Sequence, residues 1–209
     1  MFRNGSRLVL FLLIFLLPLY AKTPRIICTL GPAANSYDAY ADQRPTPEAM
    51  ELARRVSAAL VSSCSPNCAS LVLFRNLTIP GAILVEDPAR AKMVYSPQFF
   101  TSVYEKYGEG AIIAIIAHML GHAIDATAPA RWMSNSWTPE LRADAWTGCA
   151  LANADLSQHG LEAALKSVSM YPPAAHPEWT SRVPALRLGY TRCGGGAAKF
   201  DKAEKNATD

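Results

Sequence analysis

The sequence predicts an α+β fold in which a small β-sheet packs against a helical layer. Short β-prone runs separated by turn residues lie between Leu71 and Tyr95, and segments with helical capping signals and apolar spacing flank them on both sides. One of these segments, 111–125, is apolar on nearly every face. Because such a helix has no side suited to water, it is predicted to be the buried central helix.

The chain begins with a segment unlike the rest of the sequence. Arg3 and Arg7 precede an unbroken apolar run at 8–17, so residues 1–21 have the pattern of a signal peptide. The run is shorter than the ~20 apolar residues that a membrane-spanning helix needs. We therefore expect cleavage after Ala21 and a secreted or periplasmic protein. Retention of the signal as a tether is the alternative, and only then is contact with a membrane expected.

The rest of the chain is predicted to form one domain, 22–193, followed by a mobile C-terminal tail, 194–209, that starts with three glycines. Half of the residues are hydrophobic and 18% are charged, which is typical of a globular protein. The net charge of +3 is small and the basic residues are scattered. No basic surface for nucleic acid follows from this distribution, and no nucleic-acid partner is expected.

The elements follow from local signals in chain order. Residues 22–44 are predicted to be an irregular lead-in. Thr46 is a good N-cap, Pro47 suits the first helical position and Glu48 suits the first turn, so a helix is predicted over 47–62. Strands are predicted at 71–74, 83–85 and 93–95, and further helices at 97–107, 111–125, 139–155, 161–171 and 184–190.

Five cysteines follow the signal segment, in a compartment expected to be oxidising. Cys64 and Cys68 can close a small loop, and Cys149 and Cys193 can join the C-terminal segment to a core helix. Cys28 is then left without a partner. The alternative is that most of these cysteines are buried free thiols.

Two histidines on the central helix are the first candidate metal ligands. His118 and His122 are four residues apart, so their imidazoles project from the same face of a helix, one turn from each other. This geometry suits two nitrogens on one zinc ion. Packed core histidines can have the same spacing.

Two carboxylates on the next long helix share this spacing. Open zinc sites commonly have two histidines and one glutamate, so Glu140 is the predicted third ligand. Asp144 would lie one turn further along, where it can accept a hydrogen bond from a ligand histidine and fix the orientation of that ring.

Three motifs together resemble those of a known family. They are I-A-H-M-L-G-H ending at His122, E-L-R-A-D beginning at Glu140, and H-P-E-W-T-S-R from His176 to Arg182. In this order they are similar to the gluzincin zinc metallopeptidases, in particular the CaaX prenyl endopeptidase and HtpX-like family and the bacterial neutral zinc metallopeptidases. The resemblance covers about 92–182. It implies a zincin-like fold with a central metal-binding helix, a Zn²⁺ cofactor and a peptide or protein as substrate or ligand.

One departure from this pattern concerns the catalytic base. The family carries a glutamate beside the first histidine, and this chain has Met119 there. A thioether cannot take the proton of an attacking water, so proteolysis is expected to be weak or absent. His176 and Arg182 are candidates for stabilising a transition state or for pairing with Asp144. The sequence offers Asp125 and Glu109 only as poor substitutes for the base.

The sequence therefore predicts an exported, zinc-binding, metallopeptidase-like domain that retains peptide or protein binding. An active zinc-dependent endopeptidase with another base is one alternative, including the case in which Met119 is an isolated change in an active family. A metal-free structural or adhesion module, with His118 and His122 as packed core residues, is the other.

Overall fold

A computed structural model provides the fold. The residues that it describes are 25–32, 37–65, 68–86, 91–127, 130–172 and 174–208. Within these ranges the chain forms seven α-helices and one four-stranded mixed sheet, which confirms the predicted α+β class. The predicted signal peptide, 1–21, lies outside the described residues.

In the described part of the chain, helices and strands do not alternate regularly, and six of the seven α-helices follow the last strand. The strands are β1 Ile26–Leu30, β2 Leu71–Arg75, β3 Ala82–Val85 and β4 Ala91–Tyr95. The helices are α1 Pro47–Cys64, α2 Pro97–Tyr107, α3 Glu109–Thr127, α4 Pro139–Asn153, α5 Gln158–Ser169, α6 Trp179–Arg192 and α7 Ala197–Thr208. All predicted helices and strands are present. The last predicted helix was expected to begin at Pro184, but α6 begins at Trp179 and contains Pro184 in its interior.

The sheet has the strand order β1-β3-β4-β2. Strand β3 is antiparallel to both β1 and β4, while β2 and β4 are parallel. Alternate residues of β3 point to opposite faces, so Leu84 joins the main core with the helices, whereas Ile83 and Val85 join a smaller apolar cluster on the other face. One face of the sheet therefore packs against the helical layer.

Strand β1 corrects the prediction that 22–44 is an irregular lead-in. Ile26–Leu30 is an edge strand paired with β3, and Cys28 and Leu30 are buried. The segment Ile-Ile-Cys-Thr-Leu contains the β-branched residues that favour strands, but an edge strand is fixed by its pairing partner, which is distant in sequence.

Helix α3 lies at the centre of the fold. Gly108 has a φ of 74°, a value that glycine adopts easily, and it separates α3 from α2. By length and composition α3 is apolar enough to cross a membrane, but 78% of its apolar window is buried inside the protein, as in the core helix of a globular domain. All residues from Gly110 to Ile124 are buried.

Helices α3 and α4 approach closely, and this contact positions the candidate site. A Cβ added at Gly121 would lie 2.9 Å from the carbonyl oxygen of Ala143 and 2.9 Å from the Cβ of Trp146. No larger residue fits there without moving one helix. The glycine between the two histidines thus brings the first turns of α4 against the histidine-bearing part of α3.

The C-terminal segment corrects the predicted mobile tail, 194–209. Helix α7 packs against α5 and α6 and buries Phe200, Ala203 and Ala207, which have helical spacing. The Lys199 ammonium donates to the carbonyl oxygen of Leu156 at 2.7 Å. The folded domain therefore extends past the predicted boundary at residue 193.

Both predicted disulfides are confirmed. Cys64 is bonded to Cys68, and Cys149 in α4 is bonded to Cys193 at the C-terminal end of α6. Cys28 is a buried free cysteine. Two disulfides are compatible with an extracellular location.

Candidate metal centre

The two helical histidines lie side by side inside the protein. His118 is fully buried and His122 is 6% exposed, and their ring centroids are 4.8 Å apart with the rings nearly perpendicular. The spacing of four residues places both on the face of α3 that turns toward α4. The structure therefore brings together the pair of imidazoles that the sequence singled out.

Glu140 extends from the first turn of α4 to both histidines. Its Oε2 lies 3.1 Å from Nε2 of His118, and its Oε1 lies 3.4 Å from Nε2 of His122. Thr138 caps this helix by accepting a hydrogen bond from the backbone N–H of Leu141. The cap and the close contact at Gly121 hold the carboxylate over the histidine pair.

Asp144 lies one turn further along α4 and contacts the other nitrogen of His118. Its Oδ1 is 3.1 Å from Nδ1 of His118. Arg182 in α6 donates to both carboxylate oxygens of Asp144 at 2.8 Å and to the carbonyl oxygen of Val168 at 2.8 Å. The guanidinium of Arg182 thus binds Asp144 and Val168 within the core.

Acceptors surround His118 on both sides. A neutral imidazole has one N–H, and an ionised carboxylate can only accept hydrogen bonds. Since Asp144 faces Nδ1 and Glu140 faces Nε2, one N–H cannot satisfy both contacts. The second contact requires a cation between nitrogen and oxygen, either a proton or a metal ion.

His122 shows the same need for a cation. Its Nε2 is buried and, within the described ranges, makes no hydrogen bond, although Glu140 Oε1 lies 3.4 Å away. A buried nitrogen without a hydrogen bond is costly in a folded protein. A metal ion coordinated by this nitrogen would accept its lone pair.

His176 borders the same space from the segment between α5 and α6. Its Nδ1 lies 3.2 Å from the carbonyl oxygen of Pro172, and its Nε2 lies 3.3 Å from Oε2 of Glu140. The neighbouring Tyr171 packs its ring against both His118 and His176, with centroids 5.4 and 5.2 Å apart. Tyr171, which the sequence did not single out, has a buried hydroxyl that makes no hydrogen bond to any described residue.

Cys28 is the candidate ligand that the sequence analysis missed. Its Sγ and one donor atom from each of His118, His122 and Glu140 all lie within 4.8 Å of one another. This buried cluster could hold a metal ion. Disulfide pairing leaves this cysteine without a partner. The signals that could have found it are the odd number of cysteines in the chain and its place in a β-prone run.

The electrostatics of the cluster favour charged donors. Burial raises the pKa of the Cys28 thiol, but the neighbouring imidazole rings of His118, His122 and His176 outweigh it and hold the pKa well below its usual value. Burial likewise opposes ionisation of Glu140, yet the neighbouring rings of His118 and His122 keep its pKa well below the usual range. Despite its burial, His118 has a raised pKa because Asp144, Cys28 and Glu140 bind the protonated ring.

Met119 and the two carboxylates considered as substitutes for the base are not members of the donor cluster. Met119 is fully buried in the main core. Asp125 accepts a hydrogen bond from Arg142 at 2.7 Å, and Glu109 accepts one from Arg55 at 2.5 Å. An arginine thus binds each of these two carboxylates.

An apolar groove opens beside the cluster. It has a volume of about 500 Å³ and lies between the ends of the strands and the C-terminal part of α3, with His122 in its wall. Ile27, Leu84, Ala123 and Pro139 contribute apolar surface to it. The groove thus connects solvent with one of the candidate ligands.

Comparison of the chain with models of protein families, with curated proteins and with solved structures found no match.

Proposed function

We propose that this chain is an exported zinc-binding protein with a zincin-like, metallopeptidase-like domain whose proteolytic activity is weak or absent. The observation that carries the proposal is the excess of acceptors around His118, which a metal ion between His118, His122 and Glu140 would resolve. The order of the three motifs supports a relation to the gluzincin peptidases.

The chemistry of the donors favours zinc over the other common metal ions. Imidazole, carboxylate and thiolate groups suit Zn²⁺, while Mg²⁺ and Ca²⁺ prefer shells made of oxygen. Asp144 supplies the carboxylate that commonly orients a metal-binding histidine. His118 would then bind the metal through Nε2 and donate its Nδ1–H to Asp144.

Weak or absent proteolysis follows from the residues around the cluster. Bound zinc supplies Lewis-acid polarisation, but peptide hydrolysis also needs a group that takes a proton. Glu140 and Asp144 are engaged with the histidines and Arg182, and a methionine occupies the family's base position. Loss of a positioned base typically costs about 10²- to 10⁴-fold in rate.

The apolar groove beside His122 supports retained binding of a peptide or protein. Its walls suit an extended segment with apolar side chains, which can bind without being cleaved. The two disulfides and the signal-like start of the sequence support export.

Metal analysis of purified protein tests the central part of the proposal. We expect about one equivalent of zinc, lost in His118→Ala and His122→Ala. His159→Ala is the matched control, because its side chain is 93% exposed at the start of α5, whereas those of His118 and His122 are buried. Protein that folds normally but carries no zinc, and takes none up on reconstitution, would favour the metal-free structural module.

Peptidase assays test the loss of catalysis. We expect the zinc-loaded protein to cleave casein no faster than the His118→Ala variant. Cleavage at a rate ordinary for a peptidase, abolished by a chelator and restored by zinc, would instead establish the active endopeptidase.

A further inference from the structure

The Cys28 thiol is a donor that the predicted three-residue ligand set does not use. It is 5% exposed, it forms no disulfide, and its Sγ completes a group of four donors within 4.8 Å of one another. The other three donors come from α3 and α4, whereas Cys28 comes from the edge strand β1. Two separate layers of the fold therefore contribute to one cluster.

The local structure of β1 directs this side chain inward. The pairing with β3 is irregular between Ile26 and Cys28: Ile26 lies opposite Val85 and Cys28 opposite Leu84, so Ile27 is an extra residue. Ile27 is 48% exposed. Such bulges often occur beside functional sites, where they change the direction of a side chain.

We propose that the Cys28 thiolate is the fourth ligand of the bound zinc and closes its coordination shell. This inference rests on the proposed function. Zinc sites that hydrolyse substrates have three protein ligands and leave the fourth position to water, while sites with four protein ligands are structural. Cys28 would occupy that fourth position, which gives a second reason, independent of Met119, for the loss of hydrolysis.

A closed shell has a consequence for small ligands. In the native protein an added anion finds no free position on the metal. When Cys28 is replaced by alanine, the vacated position becomes open to an oxygen-donor anion such as a hydroxamate. The strand β1 thus controls access to the metal.

Cobalt substitution tests the ligand directly, because a thiolate bound to Co²⁺ gives a strong near-ultraviolet charge-transfer absorption. We expect this absorption in the native protein and in Thr29→Ser, and its absence in Cys28→Ser. Thr29 is the matched control because it is the next residue of β1 and points to the opposite face. Zinc affinity should fall at least ~10-fold in Cys28→Ser, since even partners that only orient a ligand contribute 10- to 100-fold.

Acetohydroxamate tests the open position. We expect it to change the visible absorption of cobalt-loaded Cys28→Ala and to leave that of the native and Thr29→Ser proteins unchanged. An equal response of all three proteins would overturn the closed shell.

The outcomes separate this inference from the proposed function. If the native protein binds no metal, the proposed function fails. If it binds one equivalent through His118 and His122 but Cys28→Ser keeps the native spectrum, only the role of Cys28 is overturned. Should the Cys28 variants not fold, X-ray absorption of the native zinc protein decides, with a sulfur neighbour at about 2.3 Å expected and its absence contradicting the proposal.

Discussion

Two arginines on α6 form the same type of contact in opposite surroundings. Arg182 donates to both oxygens of Asp144 at 2.8 Å, and Arg187 donates to both oxygens of Asp201 at 2.6 and 3.0 Å. The side chains of the first pair are 2% and 0% exposed, and those of the second are 44% and 53% exposed. Residue types and geometry match, so burial is the main difference.

This difference determines what each pair contributes. The exposed pair joins α6 to α7 through contacts that water can replace, so its net contribution to stability should be small. The buried pair has given up its hydration, and neither partner can lose the other without a large cost. In addition, Asp144 contacts His118, which links the stability of the core to the geometry of the candidate metal centre.

The largest effect is expected for Asp144→Asn. The amide directs an N–H donor group toward Arg182 or His118 and leaves the guanidinium buried without a counter-charge. We expect a loss of about 3–5 kcal/mol in the free energy of unfolding and a fall of ~10- to 100-fold in zinc affinity. Urea unfolding and metal titration measure the two effects.

Asp201→Asn is the matched control for this substitution, because it makes the same chemical change in the exposed pair. Little change in the urea midpoint is expected there, and zinc affinity should equal that of the parent. Equal losses in the two variants would show that burial does not distinguish the pairs.

Replacing both members of the buried pair should have a smaller effect on stability. In Asp144→Leu with Arg182→Met no charge is left uncompensated, and apolar replacement of a buried ion pair is often neutral or stabilising. We expect this double variant to be more stable than Asp144→Asn in urea. Zinc affinity should stay low, because Nδ1 of His118 still lacks its acceptor.

The corresponding double variant on the surface, Asp201→Leu with Arg187→Met, is the control and should show little change in either quantity. A buried double variant less stable than Asp144→Asn would mean that the ion pair itself stabilises the core. Recovery of zinc affinity in that variant would contradict the orienting role of Asp144.

The sequence predicted the elements that local interactions determine and missed those that depend on contacts distant in sequence. Helix starts were predictable because Thr46, Ser96 and Thr138 each accept a hydrogen bond from a backbone N–H three residues later, a local interaction that leaves a local signal. Strand β1 and helix α7 were missed because their packing partners, not their immediate neighbours, determine their structure.

The same distinction separates the residues of the candidate site that the sequence predicted from the one that it missed. The spacing of His118 and His122 is a property of one helix, and the need for a third donor pointed to Glu140 through chemistry. Neither spacing nor ligand chemistry pointed to Cys28, because its position beside the histidines depends on the pairing of β1 with β3 and on the bulge at Ile27. For Arg182 the sequence left two roles open, and the structure pairs it with Asp144.

A smaller effect is expected when the distance between helices, and not a charge, is changed. Gly121→Ala places a Cβ against the backbone of α4, so we expect a loss of about 1–3 kcal/mol from overpacking and weaker zinc binding as Glu140 moves. Thermal unfolding with and without zinc measures both. Gly160→Ala is the control, since the nearest atoms to an added Cβ there belong to the Ser157 and Leu156 side chains, the closest at 3.3 Å. Similar losses in both variants would show that the α3–α4 contact is not special.

The smallest effect concerns salt, and it compares the two arginine pairs without a new substitution. The screening length falls from about 10 Å at 0.1 M salt to about 3 Å at 1 M, and screening acts mainly on charges that contact water. The difference in urea midpoint between the parent and Asp201→Asn should therefore shrink further as salt rises, whereas the difference for Asp144→Asn should remain. If the loss in Asp144→Asn shrank in parallel, ions and water would have to reach Arg182. Its cost would then be one of surface electrostatics and not of burial.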